Sequence, residues 1–513
     1  MLSKVKSYGL SGIEGFVTQI ETDIVGGIPH FEIVGLGDTA VKEAKERVKS
    51  AIRNSGFEYP VKHYTINLAP ADVKKEGPLF DLGIAVGILS ASEQLQTNKY
   101  KDYIYIGELS LDGSIKKVRG VLPILISARK EGYTKFIIPK DNAEEASFIS
   151  GMEIFALSSL KEVVEFLNCE NKTAINPVQT KSFDEVSLDE TRKLDFENVK
   201  GQAVAKRALE IAAAGGHNVL MIGPPGSGKS MLAKCFSGIL PDLTFEEALE
   251  VTKIHSVAGE LDLKKGIICQ RPFRTPHHTA SAISLTGGGI HSKPGEISLA
   301  HNGVLFLDEF PEYSRSLIET LRQPLEDGYI TVARANQTVT YPASFTLIAS
   351  MNPCPCGNYG SKTKECKCSP AQIHKYLSKI SGPIMDRIDI HVEVDNIAYA
   401  DLYKDKKEES SCEIKKRVDK ARKIQLERFK GSKTYSNAKM TVPQTKKFCQ
   451  LSPECQKIME MAFENLKLSA RAHDRILRVA RTIADIDGEE CILPQHIAEA
   501  ISYRGLDRKY WSV

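Results

Sequence analysis

The residues with the plainest chemistry lie near the middle of the chain. GPPGSGKS, residues 223–230, fits G-x-x-x-x-G-K-[ST]. Gly223, Gly226 and Gly228, with Pro224, Pro225 and Ser227 between them, form a loop whose backbone N–H groups can turn inward onto phosphate oxygens. The start of the helix that follows adds the positive end of its dipole. Lys229 is placed to reach the β and γ phosphates of ATP, and Ser230 to coordinate Mg²⁺. VLFLDE, residues 304–309, ends an apolar run with two carboxylates. Asp308 suits the Mg²⁺ shell, and Glu309 suits polarising the attacking water. Asn352 ends the next apolar run and can orient that water against the γ phosphate. This set predicts hydrolysis of ATP with Mg²⁺.

Two arginine-bearing stretches follow. Arg387, in MDRID at residues 385–389, could supply a guanidinium to the transferring phosphoryl group of a neighbouring subunit. The other reading is a surface ion pair with Asp386 or Asp389. The stretch SARAHDRILRVAR, residues 469–481, has helical spacing, with Ile476, Val479 and Ile483 facing a core. Arg471, Arg475 and Arg478 share another face. Arg471 is expected to report the bound nucleotide, whereas Arg478 and Arg481 are expected to be solvated.

Four cysteines sit directly behind Asn352. Cys354, Cys356, Cys366 and Cys368 are spaced C-x-C, nine residues, C-x-C. Four thiolates so close in sequence suit a structural tetrahedral Zn²⁺, and four protein ligands leave no open position for catalysis. Reduced thiols, or a disulfide, are the alternative.

These groups need a sheet whose strands end beside them. Residues 218–222, 303–307 and 345–349 are short apolar runs of the kind buried on both faces of a parallel sheet. Residues 328–342 alternate as a hairpin with its turn near 333–336. Nearer the start, residues 31–34, 64–68 and 103–106 read as strands. Residues 39–55 read as a helix with Val41, Ala44, Val48 and Ile52 on one face. The composition shifts predict a first domain over 1–169, a polar linker over 170–193, a nucleotide-binding core over 194–395 and a helical domain over 396–513. The charged run at 404–409 is expected to be solvated.

The whole chain sets bounds. With 513 residues it is long enough for about three domains. Its net charge of +3 restricts any nucleic-acid site to a local patch. No apolar run has the length of a membrane span, no membrane partner is expected, and the first residues carry no signal-peptide core. Eleven scattered or clustered cysteines do not form a disulfide framework. The expected location is the cytoplasm.

Taken together, the motifs resemble those of AAA+ ATPases in the branch of magnesium-chelatase motor subunits and minichromosome maintenance helicases. Over essentially the whole chain the resemblance is to the ComM/YifB family of magnesium-chelatase-like proteins. Its marks are PFRTPHHTAS at 272–281, GGG at 287–289, PGEISLAHNGVLFLDE at 294–309, NPCPCG at 352–357 and SGPIMDRID at 381–389. The resemblance implies an α/β protein with an N-terminal Lon-like (S5-type) α+β domain, an AAA+ P-loop α/β domain and a C-terminal helical lid. It gives Lys229, Ser230, Asp308, Glu309, Asn352, Arg387 and Arg471 the roles above. It implies a homo-hexameric ring with ATP between subunits. Residues 270–300 resemble a pore insert, and Arg334 matches the basic hairpin residue that related helicases carry to DNA. An ordinary hairpin arginine is the alternative for Arg334.

The N-terminal region resembles the Lon protease domain, but Leu79 and Leu122 stand where Lon carries its Ser and Lys. Leucine supplies no activated nucleophile, so proteolysis is not expected. The activity implied is an ATP-driven motor on branched or single-stranded DNA, migrating branches in recombination and natural transformation. The alternative is a chelatase-type ATPase that remodels a protein partner for metal insertion. A non-enzymatic scaffold would not require Lys229, Asp308 and Glu309 all to be intact.

Overall fold

A computed structural model describes residues 2–169, 175–183, 194–262, 264–289, 292–334, 337–361, 364–396, 408–432, 434–466 and 468–511. The first part is built on a seven-stranded sheet. Its strands are β1 (Leu2–Ser11), β2 (Glu14–Val25), β3 (His30–Val34), β4 (His63–Ala69), β5 (Ile104–Tyr105), β8 (Lys135–Pro139) and β9 (Glu153–Leu157). A two-stranded ribbon, β6 (Glu108–Leu109) with β7 (Ile115–Lys116), stands apart from it. The sheet order is β3-β4-β2-β1-β5-β8-β9, with β2 antiparallel to both neighbours and the other pairs parallel. The helix Thr39–Asn54 buries Val41, Ala44, Val48 and Ile52, as its spacing predicts, and Ala51 with them.

Of residues 170–193, only 175–183 are described. They lie along the first sheet's surface: the Val178 N–H donates to Ile154 O, and Lys181 N–H to Ser147 O.

The second sheet is all parallel. It contains β10 (Val219–Ile222), β11 (Phe273–Arg274), β14 (Val304–Leu307), β17 (Thr346–Met351) and β18 (Ile390–Glu393), in the order β11-β14-β17-β10-β18. A short ribbon, β12 (Gly287–Gly288) with β13 (Lys293–Pro294), and a hairpin, β15 (Tyr329–Arg334) with β16 (Gln337–Pro342), accompany it. Side chains along a strand alternate between faces. Accordingly Val219, Met221, Val304, Phe306 and Ile348 join one core, and Leu220, Ile222, Leu305, Leu307 and Leu347 join another. Both faces of β10 and β14 are buried, the environment that their unbroken apolar runs anticipate.

From Ser411 onward the described chain is mostly helical; its helices as far as Ser502 pack on the first of these two faces, while the last, Leu506–Trp511, places Tyr510 in the other core. The helix Ala470–Asp487 sends Ile476, Val479 and Ile483 into that core. Arg481 departs from the expectation of solvation. It is 2 % exposed, with Nε 3.0 Å from Asp485 and both terminal nitrogens donating to the Glu489 and Glu490 carbonyls. Asp485, one turn further along the same helix, supplies the charge that makes this burial tolerable. Arg478 is likewise held, donating to Thr445 Oγ1 and the Ala438 carbonyl. The run at 404–409 lies outside the described residues up to 407. Glu408 and Glu409 are not simply solvated: Glu408 pairs with Lys206 at 2.6 Å, and Glu409 with Arg417.

The two halves meet through the helix Phe245–Ala258, which packs on the helix Val121–Lys130. The Ser256 hydroxyl donates to buried Glu145, while Gly120 N–H donates to Ser256 Oγ at 3.1 Å. No helix is long and apolar enough to cross a membrane, among the described residues.

Candidate functional site

Because all five strands of the second sheet run the same way, their carboxyl ends share one edge, where ligands of such sheets bind. β10 runs into residues 223–228, and the helix Lys229–Phe236 begins at once. Gly226 and Gly228 have φ of 80° and 91°, in the left-handed region that favours glycine. A Cβ on Gly223 would stand 2.1 Å from the Val394 carbonyl oxygen, so only glycine fits there.

Lys229 is folded back into the loop. Its Nζ donates to the carbonyls of Gly223 (2.7 Å) and Pro224 (2.8 Å) and lies 3.3 Å from Asn352 Oδ1. Burial pushes its pKa down to about 8, against the pull of Asp308 and Glu309. A phosphate would replace these neutral acceptors with anionic oxygens, the stronger partners for an ammonium.

Asp308 leaves β14 beside the loop. Its Oδ2 accepts from Ser230 Oγ at 2.7 Å, and its other oxygen accepts from Ser350 Oγ. Ser230 and Asp308 therefore form a hydroxyl–carboxylate oxygen pair of the kind that suits Mg²⁺. Glu309 follows with φ 53°, a left-handed value uncommon for a non-glycine residue. Its carboxylate is half exposed and faces His278, whose Nδ1 is 3.5 Å away. Asn352 stands one residue beyond the end of β17. The structure thus brings residues 223–230, Asp308, Glu309 and Asn352 to one edge.

Arg387 and Arg471 are elsewhere. With Lys439, Arg475 and Arg478 they line a cavity of ≈ 440 Å³ that also contains Asp386, Asp389, Asp474 and Glu326. Asn218, which precedes β10, lies in its wall, so the cavity is at the opposite, amino edge of the sheet. Four residues of strand, roughly 13 Å, separate the two edges. Arg387 pairs with Glu326 and donates to the Pro383 carbonyl at 2.7 Å, rather than pairing with Asp386 or Asp389. Its Nε is buried without a partner. Burial and the nearby guanidinium groups of Arg471, Arg322 and Arg475 all disfavour its charge. Asp389 belongs instead to Arg475 and to His217, 3.3 Å away. Burial opposes the Asp389 charge, but these partners outweigh it and hold its carboxyl well below the usual carboxylate range.

The four cysteine sulfurs lie within 4.8 Å of one another. The Sγ separations are 3.4 Å for Cys354–Cys356, 3.7 Å for Cys354–Cys366 and 3.6 Å for Cys356–Cys366. Tetrahedral Zn²⁺ with bonds near 2.3 Å requires sulfurs about 3.8 Å apart. The backbone N–H groups of Asn358, then Lys367, draw the Cys356 thiol down to about 6. The Tyr359 N–H points at Cys354 Sγ from 3.3 Å. These residues fit a zinc ion. The cluster also touches the nucleotide loop, since a Cβ on Gly357 would lie 2.5 Å from Pro225 Cδ.

Arg334 ends β15 and pairs in register with Gln337, while residues 335–336 of the expected turn lie outside the described residues. Leu79 and Leu122 are both buried in the first core. Ser350 and His278 are site neighbours that the motif reading did not single out. Ser350 had a usable signal, a hydroxyl two residues before Asn352. For His278 the signal was the His pair in the 272–281 stretch.

The chain is similar to known proteins along nearly its whole length. The model for magnesium chelatase, subunit ChlI, matches residues 195–402. Models for subunit ChlI of Mg-chelatase and for its C-terminal part match residues 20–142 and 408–504. Competence protein ComM of Haemophilus influenzae is 44% identical over 511 residues, covering 99% of this chain and 98% of its own. The protein YifB of Escherichia coli K12 is 45% identical over 508 residues, with the same coverage of both chains. Lon protease 2 of Bacillus subtilis is 28% identical over 148 residues, 28% of this chain and 26% of its own.

Proposed function

This chain belongs to the ComM/YifB family of magnesium-chelatase-like proteins, and from that premise we propose that it is an ATP-hydrolysing ring motor that acts on DNA in the cytoplasm, migrating branches during recombination and natural transformation. The family implies ATP and Mg²⁺. In this reading residues 223–228 and Lys229 hold the phosphates, and Ser230 and Asp308 hold Mg²⁺. Bound Mg²⁺ supplies charge neutralisation on the β and γ phosphate oxygens. Glu309 accepts a proton from the attacking water, and Asn352 orients that water.

The observation that carries the ring is the separation of Arg387 from its own nucleotide loop. A guanidinium at the amino edge of the sheet has no reach to the phosphates at the carboxyl edge. A neighbouring copy that presents its nucleotide to the cavity of Arg387, Arg471 and Arg475 would bring the charges together. A homo-hexamer closes that head-to-tail contact. The DNA partner is supported by the 44% identity to a protein named for competence and by Arg334 at the end of β15, a single basic residue suited to phosphate contact. We assign a structural Zn²⁺ to the four cysteines.

The test is a labelled four-way junction incubated with the protein, Mg²⁺ and ATP. Conversion to two forked duplexes, abolished by Glu309→Gln, supports the reading. Steady ATP turnover without any strand exchange would contradict it and favour a chelatase-type motor on a protein partner.

A further inference from the structure

Among the described residues, β15 and β16 form a sheet of two strands only. A two-stranded hairpin by itself is marginal in water, so its position depends on what covers its apolar face. Ile330, Val332, Val339 and Tyr341 are buried on that face, while Thr331, Ala333, Thr338 and Thr340 are exposed on the other. The base of the hairpin is held within its own domain. The Ala343 N–H donates to the Gly328 carbonyl at 2.8 Å, and the Tyr341 hydroxyl to the Ser292 carbonyl at 2.5 Å.

Further out, the cover comes from the first domain. β1 and β2 pair in register as far as Ser11 opposite Glu14, which leaves Gly12 and Ile13 as a two-residue turn at the tip of a long arm. Gly12 has φ 63°, as such tight turns require of a central residue. Behind the tip, the Gly15 N–H donates to Ser127 Oγ at 2.9 Å, tying the arm to the helix Val121–Lys130. A Cβ on Gly12 would stand 2.5 Å from Val339 Cγ1, so the turn lies directly against the hairpin. Ile13 is half-buried against the core that Ile330, Val332, Val339 and Tyr341 share. Glu76, in the loop after β4, acts on the same hairpin: burial, then the Glu76 carboxylate, push the Tyr341 phenol up to about 12. Val339 stands opposite Val332, and Arg334 follows two residues along β15.

We propose that the β1–β2 turn is a brace for this hairpin, with Ile13 its positioning residue, and that it fixes the stance from which Arg334 meets a DNA phosphate. The first domain, whose Leu79 and Leu122 supply no nucleophile, thereby serves the grip on DNA. This rests on the reading of Arg334 as the DNA contact. The brace asks only for apolar volume at position 13, which leucine keeps and alanine loses.

The experiment compares full-length wild type, Ile13→Ala, Ile13→Leu and Arg334→Ala. Hydrogen exchange without DNA reads the hairpin, and the anisotropy of labelled single-stranded DNA reads the grip. Ile13→Ala should speed amide exchange in β15 and β16 about tenfold, a local opening that leaves β17 as protected as in wild type. Its Kd for the DNA should rise about fivefold, within the usual range of coupling between sites, with the DNA-free kcat and KM for ATP unchanged. Ile13→Leu should restore both the protection and the affinity. Exchange in β15 and β16 no faster in Ile13→Ala than in wild type would overturn the brace. Faster exchange with an unaltered Kd would overturn its part in the grip. Arg334→Ala that binds DNA as tightly as wild type would instead remove the reading of Arg334, a failure that the DNA-free exchange measurement does not share.

Discussion

Lys229 illustrates how much one side chain is asked to do. Its ammonium donates to neutral acceptors, and burial disfavours its charge despite the pull of Asp308 and Glu309. Replacing these with phosphate oxygens is the gain that nucleotide binding offers. Lys229→Ala should therefore weaken binding of a fluorescent ATP analogue by roughly ten- to a hundredfold, since a hydrogen bond to a charged group contributes about 1.5–3 kcal/mol. Glu309→Gln should bind that analogue as wild type does and lose about 10²- to 10⁴-fold in turnover, the usual worth of a positioned base. A Glu309→Gln protein with wild-type turnover would remove Glu309 from the mechanism. The phosphate loop was legible in the sequence because its parts are contiguous: turn glycines, lysine and hydroxyl occupy eight consecutive positions, 223–230. Ser350 and His278 carried only weak local signals, a hydroxyl before Asn352 and a His pair, which do not by themselves place them at the site. Only the strand order β11-β14-β17 brings their edges beside Asp308 and Glu309, and no local pattern encodes that order.

At the scale of elements, two devices hold the site in place. The cysteine cluster hangs from the end of β17 and packs Gly357 against Pro225 of the phosphate loop. With zinc bound it would stiffen that contact. Purified protein should release about one zinc per chain on treatment with a thiol reagent, as a four-cysteine site requires. Cys354→Ser should lose the metal and melt at lower temperature. Metal-free wild type that melts unchanged on adding zinc would count against the site.

The second device joins β18 to the helix Ala470–Asp487 through Asp389, Arg475 and His217. The folded Asp389 carboxyl is held below its unfolded value. Its contribution to stability is therefore complete above the ordinary carboxylate range, near pH 4, and is lost as pH falls through the depressed folded value. Asp389→Asn should destabilise by about 1.5–3 kcal/mol at pH 7, because half-buried Arg475 loses its charged hydrogen-bond partner. The difference from wild type should narrow in acid, read by denaturant unfolding at pH 7 and pH 3. The helix itself was legible from its apolar spacing, but the burial of Arg481 was not. An arginine one turn from the apolar stripe looks solvated until its partner at Asp485 and the carbonyls of Glu489 and Glu490 are placed around it.

At the scale of the whole molecule, the two edges of one parallel sheet carry the two halves of the proposed catalytic unit. The nucleotide set sits at the carboxyl edge and the arginine cavity at the amino edge. A single chain cannot close on itself, which is the physical reason for proposing a ring. Arg387→Ala should retain ATP binding and lose turnover. Mixed with Glu309→Gln, also inactive alone, it should recover part of the wild-type rate, because each variant supplies at the shared boundary what the other lacks. Co-assembled variants with no recovery would place Arg387 outside the reaction. The alternation of strands and helices was legible as an α/β protein, and the apolar runs of β10 and β14 as buried strands. The separation of Arg387 from the phosphate loop was not, because sequence order does not say which end of a strand faces which neighbour.

The most direct test of the DNA motor is the steady-state ATP turnover rate measured with no nucleic acid, with single-stranded DNA, with duplex and with a four-way junction. Strong stimulation by DNA, greatest on the branched form, is the predicted result. Basal turnover that no form of DNA changes would contradict it.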